Sequence, residues 1–428
     1  MSAYLANIGI KVFSGYRAEH VSPRPDLVII GNAVSRNNPE AEAVLNQQIP
    51  YLSFPQALGV FLIGARESLV ITGTHGKTTT AALAAWVLTH AGLSPGFFVG
   101  GVPMNFDSGW SSGRGNYVVI EGDEYDSAFF DKGPKFLHYR PRHVILTSVE
   151  FDHADIYRDL EHLKDSFRRL IALIPGDGCL VVCGDYPAAM DVARSARGFC
   201  IEYGDGEGAE WTACNVQMHG RRTSFEPCFK GRSEGVVEVA LIGEHNVKNA
   251  LAVYIMGRLM GIETSKLRDG FATFAGVKRR QEVIGERRGV LVIDDFAHHP
   301  TAVRATLKAV RQAYPGRRVW AVFEPRSQTS RRKIFAQEFA QSLAFADRVV
   351  VAGLYQPEKI PEEDRLDVQG VVQTINRSRG IPCAAFIEGA SDIAAHVAQQ
   401  TEGNDIVLIM SNGGFDGVQE KILGALAG

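Results

Sequence analysis

One stretch constrains this chain more than any other: Ser68-Leu-Val-Ile-Thr-Gly73-Thr-His-Gly76-Lys77-Thr78-Thr-Thr80. Leu69 to Thr72 is a short β-branched run and reads as a buried strand. Gly73, Thr74, His75 and Gly76 then make a tight loop. Lys77 to Ala91, rich in alanine and leucine and stopped by Gly92, reads as a helix. Strand, glycine loop and helix N-terminus together form a phosphate cradle, because backbone N–H groups close around an anion and the helix dipole favours it. Lys77 supplies a point charge for β- and γ-phosphates, and the Thr78 hydroxyl a ligand for Mg²⁺. The spacing departs from the common G-x-x-x-x-G-K-[ST], since Ile71 stands at the outer glycine position. The flanking strand and helix, more than the glycines, favour a nucleotide site over an ordinary turn.

The 428 residues exceed one ordinary core and imply about two to three domains. A net charge of −3 gives no electrostatic case for nucleic acid. No apolar run is long enough to span a bilayer, and the start of the chain lacks the pattern of a signal peptide. Six cysteines without a C-x-x-C pair read as reduced core thiols of a cytoplasmic protein.

Strand and helix alternate along most of the chain. Asp26-Leu-Val-Ile-Ile-Gly31 is a strand ending in glycine, and Pro39 opens a helix. This unit reads equally as a ligand-holding strand–loop–helix or as a plain connector. Tyr117 to Glu121 and His143 to Thr147 are strands that run into Gly-Asp-Glu-Tyr-Asp126 and Ser-Val-Glu150-Phe-Asp152-His153. Their ends share the sheet edge that carries the phosphate loop. A helix over Asp159 to Leu173 and a strand over Cys179 to Cys183 follow. Residues 202–240 alternate in short segments, as a small antiparallel excursion does. Helix then returns, with Asn246 as a candidate N-cap and Asn249 one turn on. Five later strands with helices between them describe a second doubly wound unit. Three of its strands end in Asp294-Asp295-Phe-Ala-His-His-Pro300, Glu324-Pro-Arg-Ser327 and Ser411-Asn-Gly-Gly-Phe415, which together suggest a second binding surface.

Glu121 is the best protein carboxylate for Mg²⁺ beside Thr78, since Mg²⁺ takes oxygen ligands and few of them from protein. His153, flanked by Asp152 and Asp155, reads either as a ligand to a second metal or as a histidine packed on the sheet. Asp123, Glu124 and Asp126 read as a solvated acidic turn. Asp295, His298 and His299 read as a nucleotide contact or as an aspartate N-cap to the helix entering at Pro300. No Ser-His-Asp or zinc-type pattern is visible.

Taken together, G-T-H-G-K-T-T-T at Gly73, E-G-D-E-Y-D at Glu121, E-F-D-H-A-D at Glu150, G-E-H-N-V-K-N at Gly243, K-R-R at Lys278 and D-D-F-A-H-H-P at Asp294 resemble the Mur ligases, ATP-dependent amide-forming enzymes of peptidoglycan synthesis. The resemblance implies a three-domain α/β architecture: a UDP-sugar-binding domain over 1–67, a central P-loop ATPase-like domain over 68–283, and a doubly wound amino-substrate-binding domain over 284–428. It implies that Gly73, Thr74, His75, Gly76, Lys77, Thr78 and Thr79 hold ATP, that Thr78 and Glu121 bind the first Mg²⁺, and that His153 binds a second. Asn246, Asn249 and Asp295 would contact the nucleotide, and Arg280 would reach its phosphates. Lys77, Glu121, His153 and Arg280 form the expected catalytic set.

Tyr125, Phe129-Phe-Asp-Lys132, Glu324-Pro-Arg-Ser327 and Ser411-Asn-Gly-Gly-Phe415 resemble most the branch that joins UDP-N-acetylmuramate to the tripeptide L-alanyl-γ-D-glutamyl-meso-diaminopimelate in cell-wall recycling. The alternatives are the branch that adds L-alanine to the same sugar, a folylpolyglutamate-synthetase-like ligase, against which Asp26 to Leu58 speaks, and an ATP-binding remnant. Several family members carry a carbamylated lysine where this chain has Phe167, with Lys164 one turn away; the L-alanine branch is similar in lacking it. The family's glycine-rich unit for the UDP diphosphate is expected before Met1, which makes the N-terminal domain read as truncated and its pocket as incomplete.

Overall fold

The computed structural model describes residues 5–427, apart from Asn7 and Asp155. The opening Met1-Ser-Ala-Tyr4 and the Asp155 flank of His153 lie outside the described residues.

The N-terminal unit is small. Strands Val28–Ile30 and Tyr51–Ser53 pair in parallel, and the helix Pro39–Asn46 covers them. Asn38 caps that helix by accepting from Glu40 N at 2.9 Å, and Pro39 fills the first helical position, where a missing N–H costs nothing. Val21, Ala43, Val44 and Ile49 form its core.

The central sheet is built on six parallel neighbours in the spatial order Phe199–Tyr203, Cys179–Cys183, Pro141–Leu146, Glu67–Thr72, Tyr117–Gly122 and Gly96–Phe98. Beyond Phe199–Tyr203 lies the antiparallel excursion, Trp211–His219 against Arg222–Phe229. Successive side chains of a strand face opposite layers. Leu69, Ile71 and Val119 therefore join one core with the helices Lys77–His90 and Glu244–Leu259, whereas Val70, Val118 and Ile120 join another with Phe136, Leu163 and Phe167. Layers on both faces explain why these strands are continuously apolar. Lys77–His90 is buried nearly all round because Glu244–Leu259 and Thr264–Ala272 pack outside it.

The helix Leu160–Ala172 begins one residue after its cap, Asp159, which accepts from His162 N at 2.8 Å. Asn246 is not the N-cap of its helix: Gly243 holds that position, and Asn246 lies inside the first turn, 5% exposed. Its amide instead bonds Ile242 O at 2.9 Å and Gln281 Oε1 at 3.1 Å, a partner supplied only by the tertiary fold.

The C-terminal sheet has six strands in the order Glu282–Arg287, Val290–Asp295, Ile406–Met410, Val319–Phe323, Arg348–Val351 and Ala384–Phe386. Only the first pairing is antiparallel. That edge strand was not expected from the sequence, and the border expected after residue 283 falls within it. Helix Pro300–Ala313 is capped by His299, not by Asp295.

Asp405, 3% exposed, ties the base of this sheet: Arg318 donates to it at 2.7 and 3.0 Å, and Trp320 Nε1 at 3.0 Å. Burial disfavours the charged carboxylate, but these donors outweigh burial and hold it below its ordinary value of 3.8. A depressed folded-state pKa stabilises the fold above the unfolded value and loses that contribution as pH falls through the folded one. Asp405→Asn should cost ~2 kcal/mol at neutral pH, and its gap to the native protein should narrow as the pH drops below 3.8. Urea unfolding of both proteins across that range checks this.

Candidate functional site

The site follows from the register of three strands. Ile71 pairs with Glu121 and Thr72 with Leu146, so the phosphate loop, Glu121 and the segment 147–153 leave the sheet at one edge. The loop is laced to its neighbour: Thr74 N donates to Ser148 O at 3.0 Å, His75 N to Ser148 Oγ at 3.0 Å, and Thr147 Oγ1 to His75 O at 2.5 Å. Gly73 has φ 131°, and a Cβ there would sit 2.3 Å from Thr147 Oγ1. Gly76 has φ 80°, and a Cβ there would sit 2.7 Å from Asn249 Oδ1. No side chain fits at either position.

Thr78 Oγ1 bonds Glu121 Oε1 at 2.8 Å, and Gly100 N donates to Glu121 Oε2 at 2.7 Å. Arg280, from the junction between domains, donates to Thr78 Oγ1 at 3.0 Å. A hydroxyl beside a fixed carboxylate is a hard-oxygen pair suited to Mg²⁺. His153 does not join that pair. Its Nε2 bonds Glu124 Oε1 at 3.0 Å, its ring lies 4.2 Å from that of Tyr125, and its backbone sits at φ 57°.

Glu124 overturns the reading of a wholly solvated acidic turn. It is 1% exposed and accepts from Lys77 Nζ at 2.9 and 3.0 Å. Only its neighbours remain half exposed, Asp123 paired with Lys135 and Asp126 with Lys132. Burial opposes the charge on Glu124, but Lys77 and His153 outweigh it and hold the carboxyl well below its usual range. Burial likewise opposes charge on Lys77 and His153, and Glu124 raises both. Lys77 also donates to Gly73 O at 2.7 Å, which points its ammonium back across the loop. Nothing local marks Glu124, because its cation stands 47 residues earlier.

Two cavities flank this centre. His75, Gly76, Thr79, Asn246, Asn249, Arg280 and Asp295 line one, so the expected nucleotide residues converge. Asn249 donates to Asn246 Oδ1 at 3.2 Å. Asp295, 4% exposed, accepts from Gln281 N and Ala297 N at 2.8 Å. Burial pushes its pKa up against the attraction of Arg280. The other cavity runs from Gly31 and Asn32 of the N-terminal unit past Gly100 to Glu121 and Lys135.

The C-terminal strand ends also meet. Ser411 Oγ donates to Glu324 at 2.5 Å, Arg279 bonds Asp294 at 3.1 Å and Ser411 O at 2.7 Å, and the Arg326 guanidinium carbon sits over the Tyr355 ring, 3.5 Å from its centroid. From the same segment Thr329, which the sequence did not single out, donates to Asp152 at 2.6 Å beside His153. Phe167 is a core residue 5.5 Å from the Phe136 ring, and Lys164 is engaged by Glu161 and Asp191.

Removing one partner of a buried ion pair leaves an uncompensated charge. Glu124→Gln should therefore lower the stability of the nucleotide-free protein by ~3 kcal/mol, read by urea unfolding.

Residues 1–66 match the Mur ligase family catalytic domain, 71–257 the Mur ligase middle domain, and 279–413 the Mur ligase glutamate ligase domain. The UDP-N-acetylmuramate–L-alanyl-γ-D-glutamyl-meso-2,6-diaminoheptandioate ligase of Escherichia coli K12 is 40% identical, over 100% of this chain and 90% of its own. The UDP-N-acetylmuramate–L-alanine ligase of Endomicrobium trichonymphae is 35% identical, over 85% of this chain and 79% of its own. The crystal structure of a murein peptide ligase from Psychrobacter arcticus superposes with a TM-score of 0.70 at 33% identity, over 100% of this chain and 91% of that one. With three domain matches in order and a relative of this identity along its whole length, the chain belongs to the Mur ligase family.

Proposed function

We propose that the protein is an ADP-forming ligase that joins the carboxylate of UDP-N-acetylmuramate to the amine of L-alanyl-γ-D-glutamyl-meso-diaminopimelate. One observation carries this reading: Lys77, Thr78, Glu121 and Arg280 are assembled between a cavity lined by the nucleotide residues and a second that opens toward the N-terminal unit. The full-length similarity to the E. coli ligase favours the tripeptide over free L-alanine as acceptor.

In this reading Lys77 and the N–H groups at the start of its helix hold the triphosphate, while those of Thr74 and His75 stay bonded to Ser148, and Arg280 steadies its terminal phosphate. Asn246, Asn249 and Asp295 shape the nucleoside end. Thr78 and Glu121 would hold Mg²⁺, which supplies charge neutralisation at the phosphates, and His153 a second ion once released from Glu124. The sugar's carboxylate attacks the γ-phosphorus, ADP leaves, and an acyl-phosphate forms. The tripeptide's amine then attacks the acyl carbon and phosphate departs. Charge accumulates on phosphoryl oxygens, so positioned cations carry most of the rate. The domains, joined by Arg280 to Thr78 and Thr329 to Asp152, close over the acyl-phosphate and exclude water. The surface made by Glu324, Arg326 and Ser411 would receive the amino substrate.

Phosphate release by the purified chain, with ATP and UDP-N-acetylmuramate, should depend on the tripeptide and not on free L-alanine. A preference for alanine would move the protein to the sibling branch, and ATP binding without release would make it a binding remnant. Lys77→Ala should reduce turnover by at least ~10³-fold, read in the same assay. Retained turnover would remove the phosphate loop from the mechanism.

A further inference from the structure

Beside the nucleotide cavity, His75, Glu150 and His299 each present one donor atom, and these atoms all lie within 4.8 Å of one another. His75 Nε2 bonds Glu150 Oε2 at 2.7 Å, and the two histidine rings are 4.9 Å apart at 41°. His299 is 5% exposed. Its Nδ1 receives only a long 3.4 Å contact from Thr301 N–H, and its buried Nε2 has no partner. A buried polar nitrogen without a partner is uncommon in a folded protein and calls for an explanation.

We propose that His75, Glu150 and His299 form a transition-metal site, suited to Zn²⁺, that bridges the central and C-terminal domains. Two imidazoles and a carboxylate are the donor set of an open zinc site with a fourth position for water, whereas Mg²⁺ prefers all-oxygen surroundings. Tetrahedral bonds of ~2.0 Å place ligand atoms ~3.3 Å apart, so the present spread closes with side-chain adjustments of ~1.5 Å or less. His75 and Glu150 follow two adjacent strands of the central sheet, and His299 precedes the first helix after Val290–Asp295 of the other domain. Coordination leaves each ring neutral, with its proton on the ring nitrogen that does not bind the metal. The proton now between His75 and Glu150 gives way to the metal, and His299 gives up only its long contact with Thr301. The site uses neither Thr78 nor Glu121 and does not depend on the ligase reading. Because His75 belongs to the phosphate loop, a metal here would fix the loop and the domain seam together.

The test titrates the nucleotide-free, full-length chain with ZnCl₂ in a magnesium-containing buffer by calorimetry, alongside His299→Gln and Glu150→Gln. The expected result is one zinc per chain, with affinity reduced ~10-fold or more in each variant, and a Co²⁺-substituted protein whose visible bands disappear in His299→Gln. Zinc should also raise the melting temperature of the native chain and leave that of His299→Gln unchanged, which reports on the site even if a variant is less stable. Equal zinc binding by all three proteins, as thiol ligation would give, or no binding at micromolar zinc, overturns the proposal. Loss of ligase turnover with zinc binding intact would bear on the proposed function alone.

Discussion

Everything at the active edge depends on the strand Glu67–Thr72 lying in parallel between Tyr117–Gly122 and Pro141–Leu146. That placement brings a glycine loop, a carboxylate and a histidine, separated by tens of residues in sequence, to one end of one sheet. Register matters as much as order. A slip of one residue would turn Glu121 to the opposite face and separate it from Thr78. Segment 147–150 then does for the loop what a helix cap does for a helix. Ser148 and Thr147 satisfy the backbone groups of Thr74 and His75, which fixes the loop before any ligand arrives.

The charges behind the loop form a second level of order. Lys77 is compensated by Glu124, and Glu124 is shared with His153. Each of these ions is costly to bury alone and tolerable together. The consequence for ligand binding is direct. In the proposed reading, phosphates that take Lys77 would compete with a carboxylate already bonded to it, and a metal taking His153 would break the other half of the same node. On that reading, nucleotide and metal entry would be linked through Glu124.

The domain seam carries several hydrogen bonds beside an apolar contact, Ile242 packed into the C-terminal core. Arg280 reaches Thr78, Thr329 reaches Asp152, and Gln281 donates to Asp295 and receives from Asn246. Arg279 and Gln281, which carry the chain across, both sit at positive φ, 60° and 53°. Backbone held in the left-handed region by non-glycine residues persists only where its surroundings over-determine it. A seam that relies on hydrogen bonds as well as apolar packing suits domains that move relative to one another.

Local chemistry was legible along the chain. The loop, its helix from Lys77, the helix over Asp159 to Leu173 and the later parallel strands are written in residues that lie next to one another, because β-branched runs, glycine at positive φ and apolar periodicity act over a few residues. The family followed from several such motifs together. Asparagine near a helix start favours the cap role, but burial against Gln281 places Asn246 inside the first turn. Glu124 was read with its acidic neighbours because composition cannot reveal a lysine brought to it by sheet pairing. Most elements and the strand, glycine loop and helix around Gly73 were readable along the chain. Only the tertiary structure decided which carboxylate is buried, which cation answers it, and that His75, Glu150 and His299 meet, since the cost of desolvating a charge depends on what the fold places within about 3 Å of it.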